Sequence, residues 1–229
     1  VGESFLSEMI RDWENNLPAN FRLAYLPQPG MVRLRITGRG PDKEELNSEL
    51  EKLATALVSL IPDLVFGYGE ESPEEVLGRI LKEKHASIST AESCTGGYIA
   101  HLITSIAGSS AYFTGSVVAY SNQVKVNTLG VKESTLMAHG AVSEQTVIEM
   151  ANGVKKKFGT DYAIAVSGIA GPDGGTREKA VGTIWIALAG PRKTVTEKYL
   201  FGRNRERNIR LAALTALNKL RLLILRNEI

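Results

Sequence analysis

A carboxylate, two hydroxyls and a thiol are crowded into Ala91-Glu92-Ser93-Cys94-Thr95-Gly96-Gly97. That set can supply a nucleophile, and its small residues and paired glycines let a backbone approach a ligand closely. Residues 86–90 before it are short and partly β-branched and read as a strand. Tyr98, Ile99, Leu102, Ile103 and Ile106 recur at helical spacing, so a helix is expected over 95–106. The first amides of that helix would lack partners within it. With the positive end of the helix dipole they offer a place for an anion or a developing oxyanion. The same Ser and Thr would also serve as caps of an ordinary strand-to-helix turn. A second cluster, Tyr120-Ser121-Asn122 with Lys125, adds an amine. A third, Ser167-Gly168-Ile169-Ala170-Gly171-Pro172-Asp173-Gly174-Gly175-Thr176, has four glycines and two hydroxyls and suits the wrapping of a phosphate by backbone N–H groups. It matches neither of the standard glycine-rich nucleotide motifs.

The elements that must position these clusters alternate along the second two-thirds of the chain. Ser72-Pro73-Glu74-Glu75 starts a helix over 73–84, with a Ser cap, Pro at the first helical position and Glu completing a capping box. Phe113 to Tyr120 reads as a strand buried on both faces. Short helices are expected around Lys125–Leu129 and 133–138. Ser143 caps a helix through Val147, Met150, Ala151, Val154 and Phe158 that stops at Gly159. Tyr162–Val166, Val181–Ala189 and 194–201 are the remaining strands, the last two a hairpin, and Arg203–Leu225 is a closing helix. All three clusters therefore fall at carboxyl ends of strands, where open α/β sheets bind ligands. The reading is a three-layer α/β/α domain with a mixed sheet, spanning 73–229.

Residues 1–70 read as a small α+β domain. An amphipathic stretch over 2–16 precedes a strand from Phe21 to Leu26, and Val32, Leu34 and Ile36 alternate with Arg33, Arg35 and Thr37, as in a hairpin with one open face. Glu44–Leu60 has helical spacing, and Leu64–Tyr68 reads as a short strand closed by Gly69. The arginine stripe could touch phosphate or nucleic acid, yet residues 1–72 hold 7 Lys and Arg against 12 Asp and Glu, while 73–229 hold 20 against 13. A packing role for the stripe fits that acidic balance better.

Length and composition bound the rest. With 229 residues, 43% of them hydrophobic, the chain can bury a sizeable core. No apolar run approaches the ~20 residues of a membrane span. A start at Val1-Gly2-Glu3-Ser4, without Met or signal pattern, reads as a piece of something longer. One cysteine, Cys94, leaves no internal disulfide, and His85, His101 and His139 have no metal-ligand spacing, so no metal and no cofactor are expected and a reducing cytoplasm fits.

Four motifs in register carry a more specific message: Ala91 to Gly97, Tyr120-Ser121-Asn122 with Lys125, His139-Gly140-Ala141-Val142-Ser143, and Ser167 to Thr176. In that order they resemble the CinA C-terminal domain family over 73–229. Residues 1–70, with Tyr25-Leu26-Pro27 and Pro29-Gly30, resemble the middle domain of the longer competence/damage-inducible CinA proteins. Those proteins begin with a molybdopterin-binding-like domain, whose pyrophosphatase activity is not carried over to this chain. Ser116 stands where many relatives have Gly, and Ala180 where Pro is common.

The resemblance implies metal-independent hydrolysis of the carboxamide of nicotinamide mononucleotide to nicotinate mononucleotide and ammonia. Ser93 would be the nucleophile, Lys125 the base and Tyr120 a proton relay or a support for Lys125. The N–H groups of residues 95–97 would be oxyanion donors, and the phosphate would lie against 168–176 with help from Thr95 or Arg203. Substrate contacts are thereby expected from Glu92, Thr95, Gly96, Gly97, Ser116, Asn122, Ser167, Gly168, Gly171, Gly174, Gly175, Thr176 and Arg203. Cys94 is the rival nucleophile, since a thiol at a helix N-terminus can ionise readily. The resemblance also implies a homo-oligomer, a dimer. Two other classes stay open: a non-catalytic nucleotide sensor using the same pocket, and a nucleic-acid adaptor, suggested by the competence association and the basic second domain.

Overall fold

A computed structural model of the chain describes residues 2–229, so Val1, the start of the first expected domain, lies outside the described residues. The chain divides after Phe66 into two compact units. The first comprises helix α1 (Glu3–Asn15), strands β1 (Phe21–Gln28) and β2 (Met31–Gly38), and helix α2 (Lys43–Leu60). The hairpin is antiparallel with Leu23 opposite Ile36 and Tyr25 opposite Leu34. Those residues and Val32 face Leu6, Ile10, Leu57 and Ile61 of the helices and their ends. Strand alternation and helical spacing thus meet in one core. The expected strand over Leu64–Tyr68 does not form. Leu64 and Val65 hydrogen-bond back to the Ile61 carbonyl in an irregular turn, leaving no partner strand for them to extend.

The second unit, Gly67–Ile229, is three-layered. Its elements are α3 (Pro73–Glu83), β3 (Ile88–Glu92), α4 (Tyr98–Thr104), a 3-10 turn at Ser109–Ala111, β4 (Phe113–Val118), α5 (Asn122–Leu129), α6 (Glu133–His139), α7 (Glu144–Phe158), β5 (Tyr162–Gly168), β6 (Thr183–Ala189), β7 (Thr194–Leu200) and α8 (Arg205–Leu225). The strand order is β4-β3-β5-β6-β7. β4, β3 and β5 run parallel, and β6 and β7 are antiparallel additions, so the sheet is mixed. Helices α3, α4 and α8 pack together on one face, and α5, α6 and α7 on the other. α3 begins with the expected capping box, Ser72 Oγ accepting from Glu75 N–H and the Glu75 carboxylate from Ser72 N–H. β4 departs from expectation. It is an edge strand with Val118 exposed, not a strand buried on both faces.

Two features of this unit prepare the site. The sheet face under α7 is lined by Ala91, Ala163, Ala165, Ala187 and Ala189, so the helix lies close to it. Gly153 of α7 then meets the carbonyl of Leu129 at the end of α5, where any Cβ would collide. This close crossing seats α5 tightly, with Lys125 and Leu129, one helical turn apart, both buried. No helix among the described residues is long and apolar enough to cross a membrane.

Candidate active site

β3 is buried along its whole length, and its alternation puts Ala91 toward α7 and Thr90 and Glu92 toward α4. The helix after it starts at Tyr98 rather than residue 95, because Gly96 and Gly97 adopt left-handed φ of 62° and 99° and carry the turn as far as Gly97. Glu92 fills the place expected for a ligand anion. Its side chain is 0% exposed, Oε2 accepting from the Gly97 and Ile99 amides at 3.0 Å each and Oε1 from the Ala100 amide at 2.8 Å. The carboxylate of the chain itself therefore sits on the positive end of α4. Thr90 donates to Ser116 Oγ at 2.7 Å on the same side of the sheet. Glu92 and Ser116, expected to contact substrate, are structural partners instead.

The amides of the turn are correspondingly taken. Ser93 N–H continues the ladder to the Val166 carbonyl at 2.9 Å, Gly96 N–H bonds the Ser93 carbonyl at 3.1 Å, and Gly97 N–H bonds Glu92. Among the described residues only the Cys94 and Thr95 amides of this turn lack an acceptor oxygen. Of the expected donors at 95–97, Thr95 alone is without an acceptor, and the Cys94 amide faces only its own thiol.

Lys125 approaches the turn from α5. Its side chain is 1% exposed, and Nζ stands 3.1 Å from Ser93 Oγ, 2.7 Å from the Ala119 carbonyl and 3.3 Å from that of Tyr120. Neither contacting carbonyl carries a charge to offset the ammonium. Burial therefore pulls the Lys125 pKa down from its ordinary value. The geometry serves both protonation states. An ammonium donates to all three oxygens, whereas a neutral amine donates to the two carbonyls and keeps a lone pair for the Ser93 hydroxyl proton. Cys94, also buried, has its thiol pushed up to about 12 by desolvation and is a protonated thiol near neutral pH.

Tyr120 supports Lys125 through its carbonyl only. Its phenol is exposed and accepts from Arg205 Nη2 at 3.3 Å, and it makes no hydrogen bond to Lys125 or Ser93. Asn122 is exposed in the first turn of α5, behind Ser121, whose Oγ caps that helix.

The third cluster divides in two. Its root is packed: Ser167 donates to the Ala141 carbonyl at 2.7 Å, and Gly168 ends β5 where a Cβ would strike the Thr183 carbonyl. Ser167 is thus buried and bonded within the protein, whereas Gly168 is half-buried. Beyond Gly171, residues 172–178, including Gly174, Gly175 and Thr176, are exposed. Thr176 closes the far end by exchanging bonds with Lys179. His139-Gly140-Ala141-Val142-Ser143 acts as a bracket around this region. Ser143 and Thr146 hydroxyls donate to the Gly140 carbonyl, and Lys179 Nζ donates to the His139 carbonyl at 2.8 Å. A hollow of about 300 Å³ beside that bracket is lined by Ser143, Lys179, Trp185 and Lys198 and includes neither Ser93 nor Lys125.

Two residues of this site escaped sequence reading. Arg203 and Arg205 are both exposed, but Arg205 is tied to the loop, Nη1 donating to the Gly171 carbonyl at 2.9 Å and Nη2 to Tyr120. Asn208, 0% exposed, donates to the carbonyls of Ala170 (2.9 Å) and Gly202 (2.8 Å) and accepts the Gly202 amide at 3.1 Å. Both stand in the first turn of α8, which starts two residues later than expected because Asn204 is its cap. A lone amide on the stripe Asn208, Ala212, Ala216 was the available signal. Among the described residues no group of three or more His, Cys, Asp and Glu could hold a metal ion.

Comparison with known proteins agrees with this architecture. The family model described as CinA C-terminal domain matches residues 70–224, and that described as damage-inducible protein CinA KH domain matches residues 1–67. A CinA-like protein of Cytophaga hutchinsonii is 51% identical over 221 residues, covering 96% of this chain and 53% of the relative. One of Flavobacterium psychrophilum is 47% identical over 228 residues, covering 99% and 54%. The chain thus spans about half the length of the curated relatives it matches. Among solved structures, the competence/damage inducible protein CihA of Agrobacterium tumefaciens superposes with a TM-score of 0.63 at 37% identity, covering 69% of this chain and 99% of its own. A CinA superfamily protein of Klebsiella pneumoniae does so with 0.65 at 34% identity, covering 68% and 99%. With its two family domains in order and the motif-bearing turn, helix and loop on the matching fold, the chain belongs to the CinA family.

Proposed function

We propose that residues 73–229 hydrolyse the carboxamide of nicotinamide mononucleotide, releasing ammonia and leaving nicotinate mononucleotide. The observation that carries this reading is the buried contact between Lys125 Nζ and Ser93 Oγ at 3.1 Å, made with no carboxylate in contact with the amine. A lysine so placed is the kind of amine that serves as a general base.

In this reading neutral Lys125 takes the Ser93 hydroxyl proton as Oγ adds to the carboxamide carbon. The carbonyl π pair moves onto oxygen, where the Cys94 and Thr95 amides are the donors that the turn leaves without an acceptor oxygen. Lys125 then returns its proton to the amide nitrogen, the C–N bond breaks and ammonia departs, leaving an ester on Ser93. A water molecule, deprotonated by the same amine, hydrolyses that ester and restores the hydroxyl. The exposed part of the glycine-rich loop, with Arg205 at its root, receives the phosphate; a guanidinium suits that group by its fork geometry. Cys94 is a packing residue here.

Incubation with nicotinamide mononucleotide and measurement of ammonia tests the reading, with Ser93→Ala as the control that must abolish release. Tight mononucleotide binding without ammonia would instead select a nucleotide sensor. Binding to DNA with a steep salt dependence would select a nucleic-acid adaptor.

A further inference from the structure

Thr95 is 3% exposed, and its hydroxyl has no hydrogen-bond partner among the described residues. Three other buried side-chain atoms share that condition: Trp13 Nε1 in the first unit, and Glu74 Oε2 and Tyr112 Oη, which lie on α3 and just ahead of β4. Thr95 alone belongs to the turn that holds Ser93. Its situation contrasts with the groups around it, since Glu92 is filled by three amides and the amides of Ser93, Gly96, Gly97 and Tyr98 are all bonded. Buried hydroxyls ordinarily find partners, so one left open calls for an explanation. The two amides without an acceptor oxygen, those of Cys94 and Thr95, stand in the same two residues that follow Ser93.

We propose that Thr95 is a catalytic residue whose hydroxyl donates a hydrogen bond to the oxyanion formed when Ser93 Oγ adds to a carboxamide carbon. This rests on the amidase reading above. At addition the Oγ–C bond forms, the π pair passes to the carbonyl oxygen and the serine proton passes to Lys125. Thr95 keeps its own proton throughout and supplies only the donor. In the free protein its hydroxyl is held unpaired, so its bond is made when charge appears on the substrate oxygen, the timing that accelerates the chemical step rather than binding alone.

Thr95→Val tests this, since valine keeps the shape and removes the hydroxyl. The expected result is a kcat lowered about 10²- to 10³-fold, the usual effect of deleting one oxyanion donor, with KM within a few-fold. The melting temperature should stay level or rise, because no buried bond is lost. Thr95→Ser should restore most of the rate. A second arm uses pyridine-3-boronic acid, which takes Ser93 Oγ on boron while the serine proton passes to Lys125. Its affinity should fall in Thr95→Val and return in Thr95→Ser whether or not the parent turns over the mononucleotide. Near-parental kcat in the valine variant overturns the assignment. So does a raised KM at constant kcat, or a clear drop in melting temperature, which would mean the hydroxyl is bonded within the folded protein. A parent that releases no ammonia but binds the boronate, with Thr95→Val binding it less well, would sink the amidase reading and retain the donor. A parent that does neither would sink both.

Discussion

The Glu92–Gly97 turn and the 168–182 loop stand at the ends of adjacent strands and are built on opposite principles. In the turn, residues 91–95 are buried, with the Glu92 carboxylate on three amides and the Ser93 hydroxyl beside Lys125. In the loop, residues 172–178 are exposed, and it is tied at its two ends: at the root Arg205 and Asn208 of α8 grip the consecutive carbonyls of Gly171 and Ala170, and at the far end Thr176 exchanges bonds with Lys179. Desolvation shifts acidities and strengthens electrostatics, so the proposed reaction is assigned to the turn. An exposed, glycine-rich segment suits recognition of a charged group that arrives from water. Damage to the turn should accordingly appear in kcat, and damage to the loop in KM.

The largest effect should come from the dyad. Ser93→Ala, Lys125→Ala and the double variant should each lose about 10⁴-fold or more in kcat and reach a common floor, because one proton transfer is removed in every case. A double variant that multiplies the two single losses would show independent roles. Lys125→Arg sharpens the test: a guanidinium keeps the charge and cannot act as a neutral base, so its rate of ammonia release should stay near that of Lys125→Ala.

The pH dependence comes next in size. With its pKa lowered by burial, Lys125 is the free base over a window beneath the ordinary lysine value of 10.5, so kcat/KM should rise with pH along a limb in that window. Stability moves in the same direction. Between the folded and unfolded values the unfolded chain binds the extra proton, so the cost of burying the ammonium is full below the window and is relieved as pH rises through it. Rate profiles and melts in matched buffers check both. A Lys125→Ala protein should lose that part of the stability slope.

Loop damage should be milder. Asn208→Ala leaves the Ala170 and Gly202 groups unpaired, which should cost about 1–3 kcal/mol of stability. KM for the mononucleotide should rise about tenfold or more while kcat changes little, as expected when uniform binding is lost. Nicotinamide riboside, which lacks the phosphate, should be turned over equally by parent and variant. The smallest effect is expected from Cys94→Ala. A thiol at about 12 is no nucleophile at neutral pH, so ammonia release should stay within about threefold of the parent.

What could be read from the sequence was local. Ser72, Pro73 and Glu75 act within four residues, and the alternation of Val32, Leu34 and Ile36 shows which face of the hairpin is buried without knowledge of the helices above it. Lys125 was legible by residue type and family motif, although its partner is 32 residues away. The failures were of another kind. Glu92 looked like a ligand contact because nothing in the sequence shows that its carboxylate folds back on the amides of α4, and the same bonds move the start of that helix. β4 has the composition of an inner strand, but strand order is set by the whole sheet. Arg205 cannot be told from Arg203 and Arg207 until α8 fixes which of the three meets the Gly171 carbonyl. Ser167, Gly168 and Ser116 have small side chains for packing reasons that become visible only when β6, Ala141 and Thr90 are in place.

Glu92 also bears on what happens after the bond is cut. A hydrolase that turns a neutral amide into an acid risks being clogged by its own product, since donors that cradle an oxyanion welcome a carboxylate equally well. Here the positive end of α4 already has a resident counter-ion, and that carboxylate is close enough to Cys94 to oppose ionisation of its thiol. Under the proposed reaction, a second carboxylate formed on the same turn would meet like charge where an empty helix end would have offered attraction. Under the proposed reaction the buried glutamate would thus favour departure of the acid over its retention, a contribution to product release that neither the serine nor the lysine could make.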